Sequence, residues 1–219
     1  MILLLLRLLD PISTYSYNMT IDGIPIHKLD RQTLRERIIA VPQDTVFLPE
    51  GSSVTANLDP LYTSSEAECR AVLETVGLWK FIEERGGLSE SLAAETLSQG
   101  QKQLFSLARA VLRRKIRERD YQADISAAAS NQEHGGILLL DEISSSVDQH
   151  TDLVMQTVIK EEFKSYTIVM VSHRLEMVMD FDTVVMMENG SIVESGNPKM
   201  LINTDKSQFK ELWLAGNNR

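Results

Sequence analysis

Three short apolar runs in this chain end on residues suited to phosphoryl transfer. Ile38–Val41 leads to Gln43, Ile137–Leu140 to Asp141-Glu142, and Thr167–Val171 to Ser172-His173. Short continuous apolar runs bounded by turn signals suit buried strands. In an open α/β sheet, ligands bind beyond the carboxyl ends of the strands, so these polar side chains are expected to converge. A carboxylate at such a strand end suits a hard cation, which makes Asp141 the expected Mg2+ ligand. Glu142 stands beside it, where a carboxylate of raised basicity accepts the proton of an attacking water. His173 is expected to donate to a phosphate oxygen, and Gln43 to touch both metal and water. Taken singly, each has a plainer explanation: an Asp after a strand is commonly a turn or cap, and a His before a helix a capped or solvated residue. Their joint placement at strand ends is what favours chemistry.

The segment Leu97-Ser98-Gln99-Gly100-Gln101 lies directly before a long helical pattern that carries Lys102 and Arg109. Free N–H groups at a helix start, a serine hydroxyl and a glycine that permits close backbone approach together make an anion site. For this pentapeptide alone, a simple N-cap by Ser98 is the competing explanation.

The elements that must position these groups alternate between strand and helix. A hairpin-like piece is expected over Met19–Asp22 and Ile24–Ile26, then a short helix over Gln32–Arg37 capped by Asp30. Helices follow from Ser64 through Glu74, around Trp79–Glu84, and from Gln101 to about Arg117. Further helices are expected over Gln149–Phe163, Arg174–Asp180, Pro198–Ile202 and Gln208–Leu214, with extended segments at Thr183–Met187 and Ser191–Glu194. Alternation of this kind implies an α/β fold with a mainly parallel sheet. The polar stretch 118–136 is expected to be a disordered insert.

The 219 residues carry a formal net charge of −9, which argues against nucleic acid as the main partner. Cys69 is the single cysteine, so an intrachain disulfide and a cysteine-built metal site are excluded. The run Ile2–Leu9 is too short to span a bilayer and contains Arg7. It reads instead as the later turns of a helix that Asp10-Pro11 ends.

With these residues in place, the chain resembles the ABC (ATP-binding cassette) family of transporter ATPases over nearly its whole length. Leu97–Gln101 is similar to the LSGGQ signature, with Gln99 in place of the first glycine of its Gly-Gly pair. Ile137–Glu142 resembles the Walker B strand with its glutamate, Ser144–Asp148 the D-loop, His173 the switch histidine and Gln43 the Q-loop glutamine. The run Leu29–Pro60 is similar to the second nucleotide-binding domain of C-type, multidrug-resistance-associated exporters, and inserts before Walker B are familiar in fungal members.

The resemblance implies a P-loop NTPase-like fold, a single ATPase domain over 1–219 with a helical subdomain at 64–117, and ATP with Mg2+ as cofactors. It implies Glu142, His173 and Gln43 as catalytic residues and Asp141 with Gln43 as metal ligands. Ser98, Gly100, Gln101 and Asp148 would serve nucleotide binding, the signature residues at the ATP site of a partner domain. The implied partners are a second nucleotide-binding domain in a head-to-tail pair and the transmembrane domains of an exporter, and the implied location is the cytoplasmic side of a membrane. One departure stands against this: no G-x-x-x-x-G-K-[ST] occurs in the sequence. The expectation is therefore a domain cut short before its Walker A loop and lacking the strands that precede it. A non-catalytic binding module or decayed fragment is the alternative.

Overall fold

The computed structural model describes residues 2–9, 19–125, 135–143 and 147–217, and divides into two compact units, Met1–Val171 and Ser172–Arg219. The first unit opens with α1 (Ile2–Leu5), which is shorter than the helix expected to reach Leu9. Arg7 ends it by adopting φ +50, and its guanidinium donates to Leu29 O at 2.5 Å, so the chain turns away from the helix axis. Two short strands, β1 (Thr20–Ile21) and β2 (Ile24–Pro25), form the expected antiparallel hairpin. Its two turn residues, Asp22 and Gly23, both have positive φ, as a two-residue turn between twisted strands requires.

Helix α2 (Arg31–Arg37) begins where Asp30 accepts from Thr33 N at 2.9 Å and runs directly into β3 (Ile38–Val41). The helical block then contains α3 (Val54–Leu58), α4 (Glu66–Thr75), α5 (Trp79–Glu83) and α6 (Gln99–Ile125). Ser65 and Glu68 form a reciprocal capping box at the start of α4. Helix α6 continues past its expected end near Arg117 to Ile125, so the first part of the polar insert expected at 118–136 is helical; of its remainder, 126–134 fall outside the described residues and Gly135-Gly136 lead into the next strand. The chain then returns as β4 (Ile137–Asp141), α7 (Gln149–Glu162) and β5 (Thr167–Val171).

Strands β3, β4 and β5 form a parallel sheet with β4 at its centre, pairing Val41 with Leu140 and Asp141 with Val171. Leu138, Leu139 and Leu140 are fully buried, which explains the continuous apolar run of a strand covered on both faces. On one side lies the large core that joins the sheet to α4, α6 and α7, with Phe105, Leu107, Val111, Met155 and Phe163 at its centre. A smaller cluster of Leu34, Ile38 and Leu139 covers the other side, with Leu5 and Ile21 against it.

The second unit contains α8 (Leu175–Val178), the antiparallel pair β6 (Val184–Glu188) and β7 (Ser191–Gly196), α9 (Pro198–Leu201) and α10 (Gln208–Asn217). Its core is Val184, Leu201 and Phe209. The Glu194 carboxylate fastens β7 to the start of α10 by accepting from Ser207 Oγ at 3.1 Å and Phe209 N at 2.8 Å. Among the described residues, no helix is long and apolar enough to cross a membrane.

Candidate functional site

The parallel register of β3 and β4 brings their carboxyl ends side by side, and with them Gln43 and Asp141-Glu142. Glu142 continues the ladder by one bond, its N–H donating to Val171 O at 2.9 Å. Its backbone then adopts φ +48, a left-handed conformation that costs a non-glycine residue about 1–2 kcal/mol. Ile143, 1% exposed, is anchored in the core on the far side of this bend. The bend places the Glu142 carboxylate where Gln43 Nε2 donates to Oε2 at 3.1 Å, across 99 positions of sequence. Asp141, half-buried, is the last residue of β4.

Gln43 is held from behind by α6. Gln103 Nε2 donates to Gln43 O at 2.5 Å, and Thr45 Oγ1 donates to Lys102 O at 3.2 Å. Arg109 donates to Val46 O and Asn57 O, each at 2.6 Å, and its guanidinium lies 5.1 Å from the Phe47 ring centre and 5.0 Å from that of Phe105. Burial lowers its pKa to about 10, so it remains charged at neutral pH. Arg109 is therefore an internal clamp of the segment after β3 and no part of an anion site at the helix start.

At that helix start, Ser98 Oγ accepts from Gln101 N at 3.2 Å and Gln101 Oε1 accepts from Ser98 N at 2.9 Å. The capping explanation is thus realised, as a reciprocal box. It leaves the Ser98 hydroxyl proton to donate, and the N–H groups of Gln99 and Gly100 stand in the first turn, where no intrahelical acceptor exists. Gly100 packs on Thr151: a Cβ at Gly100 would lie 3.2 Å from Thr151 Cγ2. Thr151 in turn donates from N to Asp148 Oδ1 at 3.0 Å and from Oγ1 to Asp148 Oδ2 at 2.7 Å. Those two bonds, the backbone one foremost, hold the Asp148 carboxyl below its ordinary pKa. Asp148 is the N-cap of α7, and Ser144–Ser146 fall outside the described residues.

Of the expected site residues, Gln43 and Glu142 are in direct contact, Asp141 precedes Glu142 in the chain, and Gly100 meets Asp148 through Thr151. His173 belongs to the second unit, two positions beyond the end of β5; beside it Ser172 Oγ accepts from Arg174 N at 3.0 Å. Gln103 escaped the sequence reading. Its signal was a carboxamide four residues before Leu107 on a helix face that Leu107 and Val111 bury.

A parallel sheet with acidic and amide side chains at its carboxyl edge, a capped helix beginning at Ser98 and a helical block between β3 and β4 define a P-loop NTPase-like α/β fold. The solved structure of a bacterial Atm1-family ABC exporter with ATP bound shares it, with a TM-score of 0.78 over 99% of this chain and 34% of that one at 24% identity. The family model described as ABC transporter matches residues 2–116. The ABC transporter FGM5 of Gibberella zeae is 54% identical over 213 residues, and the ABC-type transporter braE of Annulohypoxylon truncatum is 53% identical over 218. These alignments take in 97% and 100% of this chain but 14% of each relative. The chain belongs to the ABC transporter family.

Proposed function

We propose that this chain is a nucleotide-binding domain in which ATP hydrolysis powers export through transmembrane domains. The observation that carries the reading is the Gln43–Glu142 contact at the carboxyl edge of the sheet, beside Asp141. Glu142 is the base: its carboxylate accepts the proton of the attacking water, while Gln43 fixes its direction and reaches the same water. Asp141 and the Gln43 carboxamide oxygen are the metal ligands. Among the described residues no group of three or more His, Cys, Asp or Glu side chains could hold a metal. The small donor set still fits Mg2+, which keeps waters and takes its other ligands from phosphate oxygens. Bound Mg2+ would neutralise charge on the transferred phosphoryl group. His173 is assigned to a phosphate oxygen.

The signature residues serve a partner. Ser98, through its free hydroxyl proton, and the first-turn N–H groups around Gly100 are donors for the ATP held by a second nucleotide-binding domain facing this one head to tail, with Gln101 fixing Ser98 and Asp148 closing the interface beside Thr151. The assignment to a C-type exporter's second domain, on the cytoplasmic side of a membrane, follows the Leu29–Pro60 resemblance. The donors at Ser98 and Gly100, whose contacts are with Gln101 and Thr151, also fit a second reading, a module that completes a partner's site without hydrolysing ATP at its own. Glu142→Gln in the whole transporter separates the two. The hydrolytic reading expects kcat for ATP to fall about 100- to 10,000-fold with nucleotide binding retained. Unchanged ATPase and transport would leave only the second reading.

A further inference from the structure

We propose that Gln103 is a positioning residue that sets the geometry of Gln43 at Glu142, tying the hydrolytic pair to the helix that begins at the signature segment. The proposal rests on the reading of Glu142 as the base. Gln103 is 2% exposed and donates from Nε2 to Gln43 O at 2.5 Å. A backbone carbonyl can only accept, so the orientation of the Gln103 amide is fixed by its partner. The other end of that amide, Oε1, is buried and has no hydrogen-bond partner among the described residues. A side chain present for packing alone would not bring a carboxamide into the core, where Met would fill similar space without the cost of desolvating a polar group. The donor directed at Gln43 is what the position needs.

Gln43 is gripped at two points of one residue. Its backbone oxygen is bound by Gln103, and its side-chain Nε2 donates to Glu142 Oε2 at 3.1 Å. Thr45 Oγ1, bound to Lys102 O at 3.2 Å, fixes the next turn of the same segment to the same part of α6. Gln103 and Lys102 lie one turn beyond Gln99 and Ser98, so a rotation of the first turns of α6 carries the Gln43 carbonyl with it and redirects the carboxamide that faces Glu142. The geometry of the base thereby follows the state of the signature segment, with Gln103 as the link.

The test needs no nucleotide, so it can fail independently of the hydrolytic reading. In the 219-residue chain, the side-chain NH2 signal of Gln43, assigned by its loss in Gln43→Ala, is followed by NMR. It is expected to be displaced from that of an exposed glutamine, and Glu142→Ala should return it to the exposed position. Gln103→Met is expected to do the same while the amide signals of Phe105 and Leu139 stay in place. Thr45→Val, an isosteric change that removes only the companion bond, should give a partial return and covers the case in which Gln103→Met does not fold. A Gln43 signal unmoved by both Gln103→Met and Thr45→Val, or one that shows no dependence on Glu142, overturns the proposal. In the whole transporter, Gln103→Met should lower kcat for ATP by up to about 100-fold, the scale of a misplacement near 1 Å, with KM unchanged. Where Glu142→Gln lowers kcat in the same transporter, a wild-type kcat for Gln103→Met overturns the positioning role.

Discussion

Gly100 and Thr151 are in such close contact that a side chain at Gly100 would require Thr151 to give by a few tenths of an ångström: a Cβ would sit 3.2 Å from Thr151 Cγ2 and 3.3 Å from its Oγ1. Glycine in the first turn of α6 therefore has a packing reason beside any role in anion binding. The same Thr151 holds Asp148, so a displacement at Gly100 is transmitted to the N-cap of α7. Gly100→Val is expected to destabilise the chain by about 1–3 kcal/mol, the usual cost of overpacking. In a Thr151→Ala background at least half of that cost should vanish, because the clashing methyl and hydroxyl are gone. Urea unfolding of the four proteins in this cycle measures the coupling, and additive costs would show that the contact is not what excludes a side chain.

Asp59 is the buried member of the carboxylates whose hydrogen bonds contribute to stability on the acid side. It is 5% exposed, yet its Oδ2 accepts from Ser64 N and Ser64 Oγ, each at 2.7 Å. Burial alone pushes its pKa up; the bonds from Ser64 and from the backbone N–H groups of Thr63 and Leu61 outweigh that and hold it below the ordinary carboxylate value. A group depressed in the folded state contributes stability that is fully present above its unfolded pKa of about 3.9 and is lost as pH falls through the folded value. Asp59→Asn should therefore cost about 1.5–3 kcal/mol at pH 7, the range for hydrogen bonds to a charged group, and progressively less as the pH falls through the folded value. Denaturant unfolding between pH 7 and pH 3 checks both the size and the slope, and a cost that did not shrink on acidification would refute the assignment.

The parts of this architecture that are written locally were legible in the sequence. Continuous apolar runs announced β3, β4 and β5, and Asp30 and the serine pair Ser64-Ser65 announced helix starts, because burial and capping act over a few adjacent residues. Gln43 and Glu142 could be brought together by topology alone, since parallel strands end at one edge. What stayed hidden depends on partners distant in the chain. Arg109 read as a basic group near a helix start, but its acceptors are Val46 O and Asn57 O, and only the tertiary fold supplies them. Helix α3 was missed because its five residues are too few for a periodic signal; Ser53, accepting from Ala56 N, was the sole local cue. The early end of α1 at Leu5 follows from the Arg7 bond to Leu29 O, again a long-range contact.

Glu142 is where local preference and proposed function conflict. Its φ of +48 is a conformation that glycine adopts without penalty and that other L-residues occupy at a cost of about 1–2 kcal/mol. A strained residue at the edge of the sheet persists because its neighbours over-determine it: the N–H bond to Val171 O on one side and the buried Ile143 on the other. The bend is also what turns the carboxylate toward Gln43. Comparing Glu142→Ala with Glu142→Gly separates the backbone from the side chain, since both lose the carboxylate and only glycine relieves the bend. Glu142→Gly is expected to be more stable than Glu142→Ala by about 1 kcal/mol, net of the greater freedom of glycine in the unfolded chain. Both should be equally deficient in ATP hydrolysis within the whole transporter if the carboxylate is the base. Equal unfolding midpoints for the two variants would mean that the left-handed backbone at Glu142 is not a source of strain. Unequal activities would mean that the bend contributes to hydrolysis apart from the side chain that it aims.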